Sequence, residues 1–107
     1  MKKDKVAGML GLAMRAGKLS LGSDAAEAMV IKGRARLLLV DLRASANSRK
    51  RFSQLCERRG CRMIELPQAF LQNTLNRGNL TAVAVLDENF ASSILKNYME
   101  EPELSQS

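Results

Sequence analysis

The sequence predicts an α/β protein: a three-layer α/β/α sandwich around a sheet of about four strands. Two observations carry this. Short apolar runs at 19–21, 37–40, 62–66 and 81–86 alternate with longer segments whose apolar residues recur at helical spacing, and glycine or proline marks the changes. The run Leu37-Leu38-Leu39-Val40 also shows no alternation of polar and apolar residues, as expected of a strand covered on both faces.

In chain order, Lys3 to Ala16 reads as a helix with Val6, Met9, Leu10 and Ala13 on one buried face. Gly8 and Gly11 weaken it and are read as permitting close packing; Gly17 takes the position after the helix end, flanked by Arg15 and Lys18. Leu19 to Leu21 is a short strand. Asp24 to Lys32 is the second helix, with Asp24 as N-cap and Glu27 completing a capping-box-like pair. Gly33 stops it before the strand at 37–40. Asp41 to Ala46 is expected to be a loop, with Ser45 or Asn47 capping a helix that runs to about Arg59 and buries Phe52, Leu55, Cys56 and the stem of Arg59.

Arg49, Lys50 and Arg51 fall in the first turn of that third helix, the wrong sign for its dipole. A solvated basic face or a nearby phosphate would each account for them. Arg62 to Leu66 is the third strand, Pro67 to about Asn76 a fourth helix, and Arg77-Gly78-Asn79 a turn. Thr81 to Leu86 is the last strand. Asp87-Glu88-Asn89 caps a helix to about Met99 with Phe90, Ile94 and Leu95 inward, and residues 100–107 form an acidic, proline-interrupted tail expected to be disordered. With 107 residues the chain is one domain, residues 1–99 plus the tail.

Charge is distributed unevenly. Residues 1–62 hold 15 Lys/Arg against 5 Asp/Glu, a net +10, whereas residues 63–107 hold 2 against 6, a net −4, giving +6 overall. A basic half of this kind favours a polyanionic partner. No apolar run approaches the roughly 18 residues of a membrane span, and the N-terminal apolar segment is interrupted by Gly8, Gly11 and Arg15, so a cytoplasmic protein is expected.

Catalytic constellations are thin. The chain has no histidine, which removes Ser-His and Cys-His nucleophile pairs, and no Walker phosphate loop or G-x-G-x-x-G motif. Cys56 and Cys61 have neither zinc-site nor redox-motif spacing and read as buried structural thiols. Asp87-Glu88 reads as a helix cap. With one tyrosine and no tryptophan there are too few aromatics for a base-stacking platform. No enzyme, metal or cofactor is expected.

The candidate functional element is the turn Gly22-Ser23-Asp24. Glycine there allows close backbone approach, and the helix start behind it offers N–H groups to an anion; a well-capped helix after a strand is the plainer reading of the same residues. The run Leu10-Gly11-Leu12-Ala13-Met14-Arg15-Ala16-Gly17-Lys18-Leu19, then Gly22, then Lys32-Gly33-Arg34-Ala35-Arg36-Leu37, resembles bacterial members of the L-seven-Ae/L-thirty-e superfamily of ribosomal proteins. The likeness continues through Ala44-Ser45-Ala46-Asn47-Ser48 and Asn89-Phe90-Ala91 and spans roughly residues 5–97.

The resemblance implies a mixed four-stranded sheet and a small, non-catalytic RNA-binding protein that recognises kink-turns. In the family a Gly-x-Asn-Glu-x-x-Lys turn meets tandem sheared G·A pairs, and a loop before the last strand covers flipped-out bases. The turn corresponds to Gly22-Ser23-Asp24-Ala25-Ala26-Glu27-Ala28, so Gly22 is kept, while Asp24, Ala25 and Ala28 stand where the family has Asn, Glu and Lys. The loop corresponds to Asn79-Leu80-Thr81. The implied RNA-contacting set is Lys18, Gly22, Ser23, Asp24, Ala25, Ala28, Lys32, Arg34, Arg43, Ala44, Asn47, Asn79, Leu80 and Thr81. Expected partners are structured RNA, ribosomal or kink-turn-like, and the ribosome, bound by a monomer with no DNA or membrane partner. The altered turn leaves open a protein-interaction or ribosome-assembly module that kept the fold and lost the base readout.

Overall fold

Leu37, Leu38, Leu39, Val40 and Asp41 are all fully buried and form the strand on which the rest of the chain is layered. The computed structural model describes residues 1–101. Its elements are α1 (Lys3–Arg15), β1 (Leu19–Leu21), α2 (Ser23–Ile31), β2 (Leu37–Asp41), α3 (Ala46–Arg59), β3 (Arg62–Leu66), α4 (Phe70–Leu75), β4 (Ala82–Val85) and α5 (Glu88–Met99). The sheet is mixed, in the order β1-β4-β2-β3. β2 runs parallel to β3 and antiparallel to β4, and β4 runs antiparallel to β1.

Side chains alternate across β2, so its residues serve two cores. Leu37 and Leu39 join Val6 and Leu10 of α1, Leu71 and Leu75 of α4, and Ala91 and Ile94 of α5 on one face. Leu38 and Val40 join Ala26 and Val30 of α2 and Phe52, Leu55 and Cys56 of α3 on the other. The missing alternation in the sequence therefore reflects helices on both faces, as the three-layer reading requires. Full burial of each Val, Leu, Ile or Phe side chain among them stabilises the fold by about 1.5–3 kcal/mol.

Several local expectations are corrected. α2 begins at Ser23 with Gly22 as N-cap, so Asp24 lies within the first turn, and Glu27 reaches Arg51 of α3 (2.7 Å) instead of closing a capping box. β2 includes Asp41, which pairs with Leu66, so the following loop starts one residue later than expected. α4 is six residues long because Ala69 adopts a left-handed conformation (φ 64°), while Pro67 starts a turn whose carbonyl accepts from Phe70 N–H (3.0 Å). Gly8 and Gly11 do not mediate close packing: a methyl group added at either meets no atom within 4 Å.

The charges on α3 also differ from expectation. Arg59 is exposed rather than packed by its stem. α3 starts at Ala46, so of the three cations only Arg49 lies in its first turn; Arg49 stands near Glu65 (3.7 Å), and Arg51, a turn further on, pairs with Glu27. Ser45 is the N-cap of this helix, its Oγ accepting from Ser48 N–H (3.0 Å). Asp87 caps α5 in the same way through Phe90 N–H (3.0 Å). Glu100 ends α5 and pairs with Lys2 (3.0 Å), so the expected tail does not begin there; its remainder from residue 102 lies outside the described residues. Among the described residues no helix is long and apolar enough to cross a membrane.

Candidate nucleic-acid interface

The chain leaves β1 through Gly22, whose φ of 101° and ψ of 154° are open to glycine and strained for other residues. Its N–H is fixed to Ala82 O (2.9 Å) and its carbonyl accepts from Ala26 N–H (2.8 Å), which sets the first turn of α2 against the start of β4. Ser23 Oγ lies 3.3 Å from Thr81 Oγ1, joining the turn to the loop before β4. Thr81 is a common anchor, because its carbonyl also accepts from Asp41 N–H (2.8 Å) at the end of β2.

Asp41 organises the third segment. Its Oδ1 accepts from Arg43 N–H (2.7 Å) and its carbonyl from Ala44 N–H (2.9 Å), an Asx-type turn that carries the exposed Arg43. The Arg43 guanidinium stands 3.8 Å from the same carboxylate oxygen. Asp41 is wholly buried, and its Oδ2 has no hydrogen-bond partner among the described residues. An isolated buried carboxylate is costly, so the Arg43 charge beside it and the fixed backbone N–H are what make the arrangement tenable. In the sequence Asp41 reads only as the first loop residue, which misses its role; an Asp directly after an apolar run and two residues before an Arg is the one local signal that could have found it.

Three predicted segments are thus held at one end of the sheet: Gly22, Ser23, Asp24 and Ala25 at the start of α2; Arg43, Ala44 and Asn47 after β2; Asn79 and Thr81 before β4. Asn79 is exposed with φ 56°, its N–H bound to the Gln72 side chain (3.2 Å). Ala28 lies one turn further along α2, half-buried.

Four predicted residues are not part of this cluster. Leu80 is buried in the core shared by α1, α4, α5 and the sheet, so it is not available as a contact. Lys18, Lys32 and Arg34 sit at the opposite end of the sheet. Lys18 O accepts there from Leu86 N–H (2.8 Å) beyond the end of β4, and Lys32 and Arg34 follow α2 where it leads back to the start of β2. Lys32 and Arg34 are separated from Gly22 because α2, Ser23–Ile31, runs the length of the sheet between the two ends.

The two cysteines are unequal. Cys56 is buried and Cys61 half-buried. Interaction with the neighbouring Cys61 thiol, together with burial, pushes the Cys56 thiol up, and interaction with Cys56 and with the Arg62 charge pulls Cys61 down. Neither belongs to the cluster, and no group of metal-ligating residues occurs among the described residues.

No protein-family model and no curated protein matches the chain. Among solved structures, the fold is similar to that of a Bacillus halodurans protein of unknown function, with a TM-score of 0.85 and 21% sequence identity over 90% of this chain and 98% of the other. At that identity the likeness shows a shared fold and nothing of activity.

Proposed function

We propose that this chain is a non-catalytic RNA-binding protein of the cytoplasm, similar to ribosomal proteins that bind kink-turn RNA, acting as a monomer in association with the ribosome. The observation that carries the reading is the convergence of the Gly22 turn, the Arg43 loop and the Asn79–Thr81 loop on one end of the sheet through Thr81. Two of these segments bring the parts an RNA backbone requires: helix N-terminal amides behind a glycine and an exposed arginine held on a fixed turn. Asn79, with its side chain exposed beside them, is suited to an unstacked base.

The side chains of the turn limit what it reads. An ionised Asp24 only accepts hydrogen bonds, whereas an Asn offers two donors as well, and Ala25 and Ala28 reach no base edge. Binding titrations with a kink-turn RNA and with a variant lacking its G·A pairs test this. The expected result is measurable affinity for both with little discrimination. The triple change Asp24→Asn, Ala25→Glu, Ala28→Lys should raise affinity for the kink-turn alone, each good base contact adding roughly 1–3 kcal/mol. Strong discrimination by the unaltered protein would mean that Asp24 contacts the RNA in a way this reading does not contain.

The missing donors favour one second reading, a protein-interaction or assembly module. Capture from lysate with and without ribonuclease separates them, because association through RNA is lost on digestion.

A further inference from the structure

β3 is an edge strand, and among the described residues no strand lies on its outer side. Leu66 O accepts from Leu42 N–H (2.9 Å). Alternate residues of a parallel strand give their backbone groups to the neighbour, so 62, 64 and 66 face β2 while Met63 and Glu65 turn N–H and C=O outward. An open groove of about 760 Å³ runs along this edge between α3 and α5. Its two walls differ in chemistry. The α3 wall presents Arg49 and Lys50; the α5 wall presents Leu95, Tyr98 and Met99, the last 72% exposed.

We propose that this groove receives an extended, acidic segment of another protein, which adds a fifth strand to the sheet along β3. Strand addition supplies main-chain hydrogen bonds to Met63 and Glu65, and the pleat of the added strand sends alternate side chains to opposite walls. Acidic residues then meet Arg49 and Lys50, and apolar residues cover Leu95, Tyr98 and Met99. Glu65 already occupies part of the charge of Arg49 (3.7 Å), which leaves Lys50 as the principal donor to an incoming carboxylate. A second copy of this chain fits poorly. Antiparallel pairing of β3 with itself lays α3 against α3, and that helix carries Arg49, Lys50, Arg51, Arg58 and Arg59 against the single acid Glu57. RNA would leave the outward C=O groups of β3 and the apolar α5 wall without partners.

The probe is a fluorescein-labelled, acetylated heptapeptide alternating glutamate with valine, titrated by anisotropy against the full chain. Saturable binding is expected, with none for the lysine–valine counterpart. N-methylation of one set of alternate amides should weaken binding by about tenfold or more, and of the other set hardly at all, because only one set faces β3. Met63→Pro should give a similar loss at no cost to β2 pairing, since the N–H it removes points outward; Lys50→Glu should also weaken the peptide. The N-methylated peptides keep the test sharp if the proline variant misfolds. Absence of saturable binding, equal loss for both methylation patterns, displacement of the peptide by oligouridine, or a peptide-independent dimer abolished by Met63→Pro would each overturn the proposal.

Discussion

The two ends of the sheet carry positive charge in different ways. At the end built around Thr81, an exposed cation, Arg43, is mounted on a turn fixed by Asp41 and set beside a glycine-led helix start. At the other end Lys18, Lys32, Arg34, Arg36 and Arg62 are more numerous but differently placed. Arg62 is spent on Glu88 (2.8 Å) and on Arg36 O (3.0 Å), and the residues around it close the ends of β2, β3 and β4. Glu88 is in turn held by Ser92 Oγ (2.6 Å); that bond first, and Arg62 second, keep its carboxyl below the usual range. The comparison separates charge density from a site. A cation contributes to recognition when fixed backbone geometry presents it next to other groups a ligand can use, and on the proposed reading that is the Thr81 end.

The largest effect that sharpens this contrast is expected at Asp41. Asp41→Ala removes the acceptor for Arg43 N–H and loosens the turn that mounts the guanidinium, which should lower unfolding free energy by about 1–3 kcal/mol in urea titration. Lys32→Ala, at the other end and exposed, should stay within about 0.5 kcal/mol of the parent. Equal stability of the two variants would mean that the Asp41 turn organises nothing.

The glycines give a second contrast, of comparable size and opposite signs. No atom lies within 4 Å of a methyl group built at Gly8, Gly11 or Gly22, so space does not distinguish them. Backbone conformation does. Gly22→Ala forces a side chain into a positive-φ conformation and should cost about 1–3 kcal/mol. Gly11→Ala, inside α1, should instead stabilise by about 0.5–1 kcal/mol. Thermal melts of the two variants should shift in opposite directions.

The smallest effect concerns the cation-rich end, where Cys61 donates weakly to Arg62 O (3.4 Å). Its lowered pKa means that the thiolate forms at lower pH than in an ordinary cysteine, whereas Cys56 stays protonated. Iodoacetamide at mildly alkaline pH should therefore modify Cys61 first, as read by peptide mass spectrometry, and its rate should rise with pH through the lowered pKa. Preferential modification of Cys56 would reverse the assignment.

Much of this architecture was legible in the residues. Leu37 to Val40, with no alternation, predicted a strand covered on both faces, and the helix and strand succession followed from periodicity and glycine punctuation. Gly22 marked the turn because few other residues tolerate that backbone. What could not be read depended on tertiary partners. The order β1-β4-β2-β3 leaves no local trace. Leu80 sits between Asn79 and Thr81 in what reads as a polar loop, yet it is buried in the core shared by α1, α4, α5 and the sheet. Gly8 and Gly11 read as packing glycines, yet neither has a neighbouring atom within 4 Å of an added methyl group. Lys32 and Arg34 are near Gly22 in sequence, but a nine-residue helix carries them roughly 13 Å away, at about 1.5 Å per residue.

The central claim is that RNA contacts the Thr81 end of the sheet and not the end richer in cations. The most direct measurement titrates a kink-turn RNA against the parent, Arg43→Glu and the double variant Lys32→Glu/Arg34→Glu across a salt series. For about four phosphate contacts the parent should show log K falling against log salt with a slope of about −3. Arg43→Glu should lower affinity roughly tenfold and flatten the slope by about 1, whereas the double variant should change neither by more than the general loss of positive charge at a distance. The opposite ranking, with Arg43→Glu neutral and the double variant disabled, would place the RNA at the other end and contradict the account.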